Sequence, residues 1–188
     1  MNNDVESEPM DRTYLIFECL RDGSVVWRER VLGLLTTRLT LEERATHTEN
    51  DHFAICVETQ EVVLRVDGFK VTAPPRAIKR IFQIAYTDRL RSERANLLMR
   101  LGYGVISVIG NDAAKVLLDA IQHLDVSLFI VGHAASEQTR KEMVDWLKEN
   151  YPKVKILALN PPDQQLSSAD YNVIQNGPEN WLPFVSTL

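Results

Sequence analysis

The chain has 188 residues, enough for one domain or two small ones, and 45% hydrophobic against 25% charged residues are the proportions of a globular protein and not of a disordered one. A formal net charge of −5, with acids and bases interspersed, excludes the basic stripe that a nucleic-acid backbone attracts. The polar, acidic residues 1–9 lack the positive start and apolar core of a secretory signal, and no apolar run nears the roughly 20 residues of a spanning helix, so a cytoplasmic protein without membrane or nucleic-acid partners is expected.

Residues 1–12 read as a disordered tail. Thr13–Leu20 and Val25–Val31 are rich in β-formers and flank Asp22-Gly23, a strong hairpin signal because glycine supplies the positive φ of a tight turn. Thr40 with Glu43 fits a capping box, which predicts a short helix over Leu41–Glu49. Phe53–Val57 and Glu61–Asp67 form a second predicted hairpin around Thr59-Gln60. Residues 13–70 therefore read as a small α+β antiparallel module of order ββαββ. Its strands could pack on the second half of the chain, extend its sheet, or pair with another copy. Cys19 and Cys56 both fall in predicted strands at a spacing unlike any zinc or redox motif, so both are expected as buried, reduced thiols, and no cofactor is called for.

Prolines 74 and 75 place a linker at 71–78. Beyond it, over 79–188, short apolar runs alternate with amphipathic stretches, the pattern of βα units around a parallel sheet. The predicted strands are Arg80–Ala85, Val105–Val108, Ser127–Val131, Lys155–Leu159 and Tyr171–Ile174, with helices over Leu90–Leu101, Asp112–His123 and Glu137–Asn150. In the first helix Leu90, Leu97, Leu98 and Leu101 mark the apolar side, which leaves Arg91, Glu93, Arg94 and Arg100 to the other face. Asp88, Asn111 and Ser136 are placed to cap the three helices, and Gly102 to end the first of them.

This order, with Lys79–Ile84 at its start, Leu98–Val105 in the middle and Ala169–Val173 near its end, resembles the receiver domain of bacterial response regulators over about 110 residues. The resemblance implies a flavodoxin-like (βα)5 doubly wound parallel sheet, with a role in two-component signalling. A working receiver needs an acidic pair after its first strand to hold magnesium, because the charge of a phosphoryl group must be neutralised before transfer. Ala85 and Tyr86 stand at the matching positions. The nucleophilic aspartate matches Gly132, the phosphate-sensing hydroxyl matches Asn160, and the lysine of the last strand matches Ile174. These departures imply a degenerate receiver without metal binding or phosphorylation, a binding module and not an enzyme, whose partners are proteins, a second copy of the chain among them. The segment after Asn160 is shorter than in the family and opens with Pro161 and Pro162, so the helix usual there is expected to be reduced or missing.

Other residues carry chemistry only weakly. His133, beside Gly132, reads as a polar rim residue more readily than as a metal ligand or phosphoacceptor, since no second ligand lies at metal spacing. The Gly102-Tyr103-Gly104 run lies between helix and strand, the wrong direction for a phosphate loop. Of Trp27, Trp146 and Trp181, the last is the candidate for a protein interface, because it lies on the altered final helix. A small-molecule sensor with its ligand near Ala85, Tyr86, Gly132 and Asn160 is the rival reading.

Overall fold

The computed structural model describes residues 12–67, 79–120 and 125–187. The tail and linker expected at 1–12 and 71–78 fall almost entirely outside them.

The first hairpin forms as its turn chemistry dictates. β1 (Thr13–Cys19) pairs antiparallel with β2 (Val25–Leu32). Between them Gly23 has φ 80°, its N–H donates to Leu20 O at 2.9 Å, and Asp22 Oδ1 accepts from Ser24 N at 2.8 Å. The second hairpin, β3 (Asp51–Cys56) and β4 (Val62–Val66), turns at Gln60, whose φ is 58°. β1 also pairs with β3, which makes it a central strand and accounts for the burial of Tyr14 to Glu18 without a break. Cys56 is buried as expected, whereas Cys19, at the end of its strand, is only half-buried.

The helix of this module differs from expectation. α1 spans Leu34–His47, starting seven residues before the predicted Leu41, and follows Gly33. Thr40 does not cap it. Its hydroxyl donates back to Thr36 O at 2.9 Å inside the helix, a competing use of the same side chain.

The second half builds β5 (Arg80–Ala85), α2 (Asp88–Arg100), β6 (Gly104–Ile109), α3 (Gly110–Ala120), β7 (Leu128–Val131), α4 (Glu137–Asn150), β8 (Lys155–Asn160), β9 (Tyr171–Ile174) and α5 (Pro178–Ser186). The strands are mutually parallel in the order β6-β5-β7-β8-β9, the flavodoxin-like arrangement. No helix crosses from β8 to β9, as the two prolines suggested. The loop is held instead by Asn172, whose Oδ1 accepts from Leu166 N at 2.9 Å and whose Nδ2 donates to Leu166 O at 3.1 Å.

Two of the three expected caps differ. Thr87, not Asp88, caps α2, accepting from Leu90 N at 3.4 Å, while Asp88 enters the first turn. Asn111 lies inside α3 and not at its cap, because the helix already begins at Gly110. Ser136 caps α4 as expected, accepting from Thr139 N at 3.1 Å. Gly102, with φ 87°, closes α2, and Tyr103 N donates to Leu98 O at 3.2 Å across it. The end of the second predicted helix, including His123, lies outside the described residues.

The two halves make one nine-stranded sheet, of order β4-β3-β1-β2-β6-β5-β7-β8-β9. β2 joins β6 in parallel through Val25 opposite Ile106 and Val26 opposite Ser107. At this seam the buried Ser24 Oγ accepts from Val105 N at 2.8 Å. The core is shared as well. Leu15, Phe17, Phe53 and Ile55 pack in one cluster with Phe82, Ile106 and the α3 residues Ala114 and Leu117. On the opposite face α1 covers Ile16 and Ala54 with Leu41, and α2 and α5 cover Ile81, Val105, Leu128 and Leu157.

Replacing Ser24 with alanine removes the acceptor and leaves a buried N–H unpaired at the seam, so equilibrium urea unfolding should show a loss of about 1–3 kcal/mol. An unchanged unfolding midpoint would refute that role for Ser24.

Candidate functional site

Ala85 and Ile174 close β5 and β9, Asn160 closes β8, and Tyr86 and Gly132 follow β5 and β7. The topology therefore gathers all five at the carboxyl ends of four adjacent parallel strands, the ligand-binding rim of open α/β sheets. The strands end there for a local reason: each apolar run is followed by a residue that begins a loop or a helix turn.

Hydrogen bonds occupy this rim. The Tyr86 hydroxyl donates to Asn111 Oδ1 at 2.9 Å, and Asn111 Nδ2 donates to Thr139 O at 2.8 Å, tying the β5 end to α3 and α4. Burial pushes the Tyr86 phenol up, so it stays protonated as a donor. Asn160 Oδ1 accepts from Arg140 at 2.8 Å, and its Nδ2 donates to Asn172 Oδ1 at 2.9 Å. Ile174 is 47% exposed. A cavity of about 430 Å³ opens beside it, lined by Asn160, Gln164, Gln165, Asn172 and Ile174, with Asp163 at its edge.

Two buried arginines bring positive charge to this end of the sheet. Arg140, from α4, is fully buried and donates through Nη1 to Leu159 O at 3.1 Å and to Asn160 Oδ1, and through Nη2 to Gln164 Oε1 at 2.6 Å. Arg94, from α2, approaches Gly132. A Cβ built on that glycine would meet Ile84 O at 3.2 Å, Ala85 Cα at 3.6 Å and Arg94 Nη1 at 3.6 Å. The missing side chain at 132 thus leaves room for a guanidinium. Burial draws the Arg94 pKa down to about 10.

His133 feels the charge of both cations. Burial first, then Arg94 and Arg140, hold its imidazole below the ordinary value of 6.5. No group of three or more His, Cys, Asp or Glu side chains among the described residues is arranged to hold a metal ion. Asp88 has its side chain 71% exposed and accepts from Arg91 Nη2 at 2.7 Å.

Trp181 is 2% exposed and packs in the core between α5 and the sheet, so the exposure that an interface anchor needs is missing. Trp27 and Trp146 are partly buried against the other cluster. Arg91 and Arg94, expected on the outer face of their helix, are also buried, while Leu101 is exposed. The inward stripe of α2 is Arg91, Arg94, Ala95 and Leu98, and that of α4 is Arg140, Met143, Val144 and Leu147. Both run at the i, i+3, i+4, i+7 spacing of a core face with arginine at the end next to the rim. Sequence reasoning missed this because it assigned faces by hydrophobicity alone, and the periodicity was the signal that could have found both residues.

No protein-family model and no curated protein matches the chain. Among solved structures, a CheY-like response regulator receiver domain from Methylobacillus flagellatus is similar over 59% of this chain and 98% of that one, with a TM-score of 0.50 and 12% identity. The second half of the chain, β5 to α5, has the receiver fold. Also similar are chemotaxis protein CheY4 of Vibrio cholerae, at TM-score 0.48 and 17% identity over 59% of this chain and 98% of that one, and response regulator TrrA of Thermotoga maritima, at 0.46 and 16% over 58% and 97%. The TrrA structure is a complex with magnesium and beryllofluoride. In the present receiver fold, β6 is not an edge, because β2 is paired to it.

His133 and the buried His52 both have lowered pKa values, chiefly through burial. Above pH 6.5 both are neutral in the folded and unfolded chain alike and do not alter stability. Below it the unfolded chain takes up protons more readily, so stability falls as pH drops from 6.5 toward the folded-state values. Denaturant midpoints between pH 7.5 and 5 should decline, and a His52→Gln/His133→Gln chain should show a flatter profile over that window.

Proposed function

We propose that this chain is a phosphorylation-independent signalling or adaptor protein of the two-component type, acting by protein–protein interaction through a degenerate receiver domain, and not an enzyme. The observation that carries the reading is the chemistry of the rim: Ala85, Tyr86, Gly132, Asn160 and Ile174 converge there without a carboxylate among them, and Arg140 and Arg94 are buried beside them. A magnesium ion needs several oxygen ligands, carboxylates above all, and buried guanidinium groups repel it. Phosphoryl transfer lacks both its cation and its nucleophile.

In this reading residues 13–70 form the added module and 79–188 the receiver-like unit, joined through 71–78, and the two work as one body because their strands share a sheet. Apolar surface for a partner is present on the module, where Leu32, Leu35 and Leu39 are exposed on β2 and α1. The test is incubation of the intact chain with a small acyl phosphate and magnesium. No acid-labile phosphate is expected, and incorporation overturns the reading. Gly132→Asp restores a carboxylate next to Arg94 but no acid at 85 or 86, so this variant should remain unlabelled too.

The cavity of about 430 Å³ favours a second reading, a small-molecule sensor, since its size and amide-rich lining suit a polar organic ligand. A thermal-shift screen with nucleotides and flavins separates the two. A saturable rise in the midpoint for one ligand class supports the sensor, because a ligand that binds only the folded state stabilises it.

A further inference from the structure

A second, smaller cavity of about 140 Å³ lies between α2 and the start of α5. Leu90 and Leu97 form its apolar wall, and Glu93 and Pro178 are exposed at its rim. Three polar side chains complete the lining: Arg94, Gln175 and Trp181. Arg94 Nη1, Gln175 Oε1 and Trp181 Nε1 are each buried and make no hydrogen bond among the described residues. Arg94 is 4% exposed and Trp181 2%.

Three buried polar atoms without partners around one space form a pattern that proteins avoid, because each costs about 1–3 kcal/mol of desolvation and a charged one more. The guanidinium is the costliest. The nearby carboxylate, Glu93, has its side chain 59% exposed and paired with Arg89 at 3.1 Å. Arg94 itself enters no ion pair among the described residues, whereas its neighbour Arg91 is paired with Asp88. A buried positive charge without a counter-charge is compensated when an anion enters beside it.

We propose that this cavity is a binding site for a small monocarboxylate, its two oxygens accepting from Arg94 and from the indole N–H of Trp181, with the Gln175 amide turned to donate as well. A planar carboxylate matches the parallel N–H pairs of a guanidinium, and a tail of one to three carbons rests on Leu90 and Leu97. The single buried cation and the Glu93 carboxylate at the rim disfavour a phosphate dianion, and the volume holds only a few heavy atoms. The site lies on different residues from the cavity beside Ile174; it shares Arg94 with the rim, but it does not rest on the function proposed above.

The experiment uses the intact chain, labelled with nitrogen-15, and follows the three tryptophan indole signals during titration with sodium acetate and sodium propionate against sodium chloride and sodium phosphate at equal ionic strength. The signal lost in Trp181→Phe should shift saturably with the carboxylates and not with chloride or phosphate. Arg94→Met should weaken the apparent affinity at least ten-fold while leaving the other two indole signals in place. Should Arg94→Met fail to fold, Gln175→Leu replaces it, with a loss of at least three-fold expected. A non-saturating shift, an equal response to chloride or phosphate, or unchanged affinity in the folded variants overturns the proposal. Because phosphoryl labelling does not enter this measurement, its failure leaves the adaptor reading standing, and the reverse holds too.

Discussion

A parallel sheet carries apolar side chains on both faces, and both must be covered for the strands to leave water. In this chain the cover over the parallel strands runs on into the antiparallel module. α3 reaches across from its own β6 to lie over Phe17 and Phe53 of the first half, so the antiparallel module shares the cover that the parallel half supplies. The pairing of β2 with β6 is short, two residue pairs long, but the common cluster beneath α3 makes the seam part of the core. It also removes β6 as an open edge, where unpaired backbone groups would invite another chain.

The same geometry determines what the carboxyl ends of the strands can do. Parallel strands bring residues from four separate stretches of the chain to one rim, whatever their chemistry. Here that chemistry is neutral: Asn160 is held by Arg140 and Tyr86 by Asn111. Arg140 donates to a backbone carbonyl and to two amide oxygens, which fixes the β8 end and the following loop in place. Such a network puts its oxygen acceptors to use and keeps the guanidinium buried among them. Gly132 has a positive role in this arrangement, since a side chain there would press on the Ile84 carbonyl and on the Arg94 guanidinium.

Much of the fold was legible in local patterns. Asp22-Gly23 gave the first hairpin, Ser136 the start of α4, and Pro161-Pro162 the absence of a helix before β9. Local signals misled where one side chain had two uses. Thr40 has the spacing of a capping box with Glu43, but α1 already begins at Leu34, and within a helix a threonine hydroxyl bonds the carbonyl four residues back. Asn111 has the chemistry of a cap, but its amide is drawn to Tyr86 and Thr139. Assigning faces by hydrophobicity put Arg91 and Arg94 in water, although their spacing from Leu98 is that of a core stripe.

The sequence by itself determined the types and order of the elements, because turn chemistry and apolar periodicity act over a few residues, and it named Ala85, Tyr86, Gly132, Asn160 and Ile174 as the residues that meet at the strand ends, because the end of each apolar run marks them. Only the tertiary structure decided that the module extends the sheet, that Trp181 turns inward, and that Arg94 and Arg140 enter the space at the strand ends. Those outcomes depend on contacts between residues far apart in the chain, such as Ser24 with Val105 and Arg140 with Asn160. A guanidinium is buried only where distant backbone and amide oxygens, or a glycine without a side chain, make a place for it, and no local pattern records that.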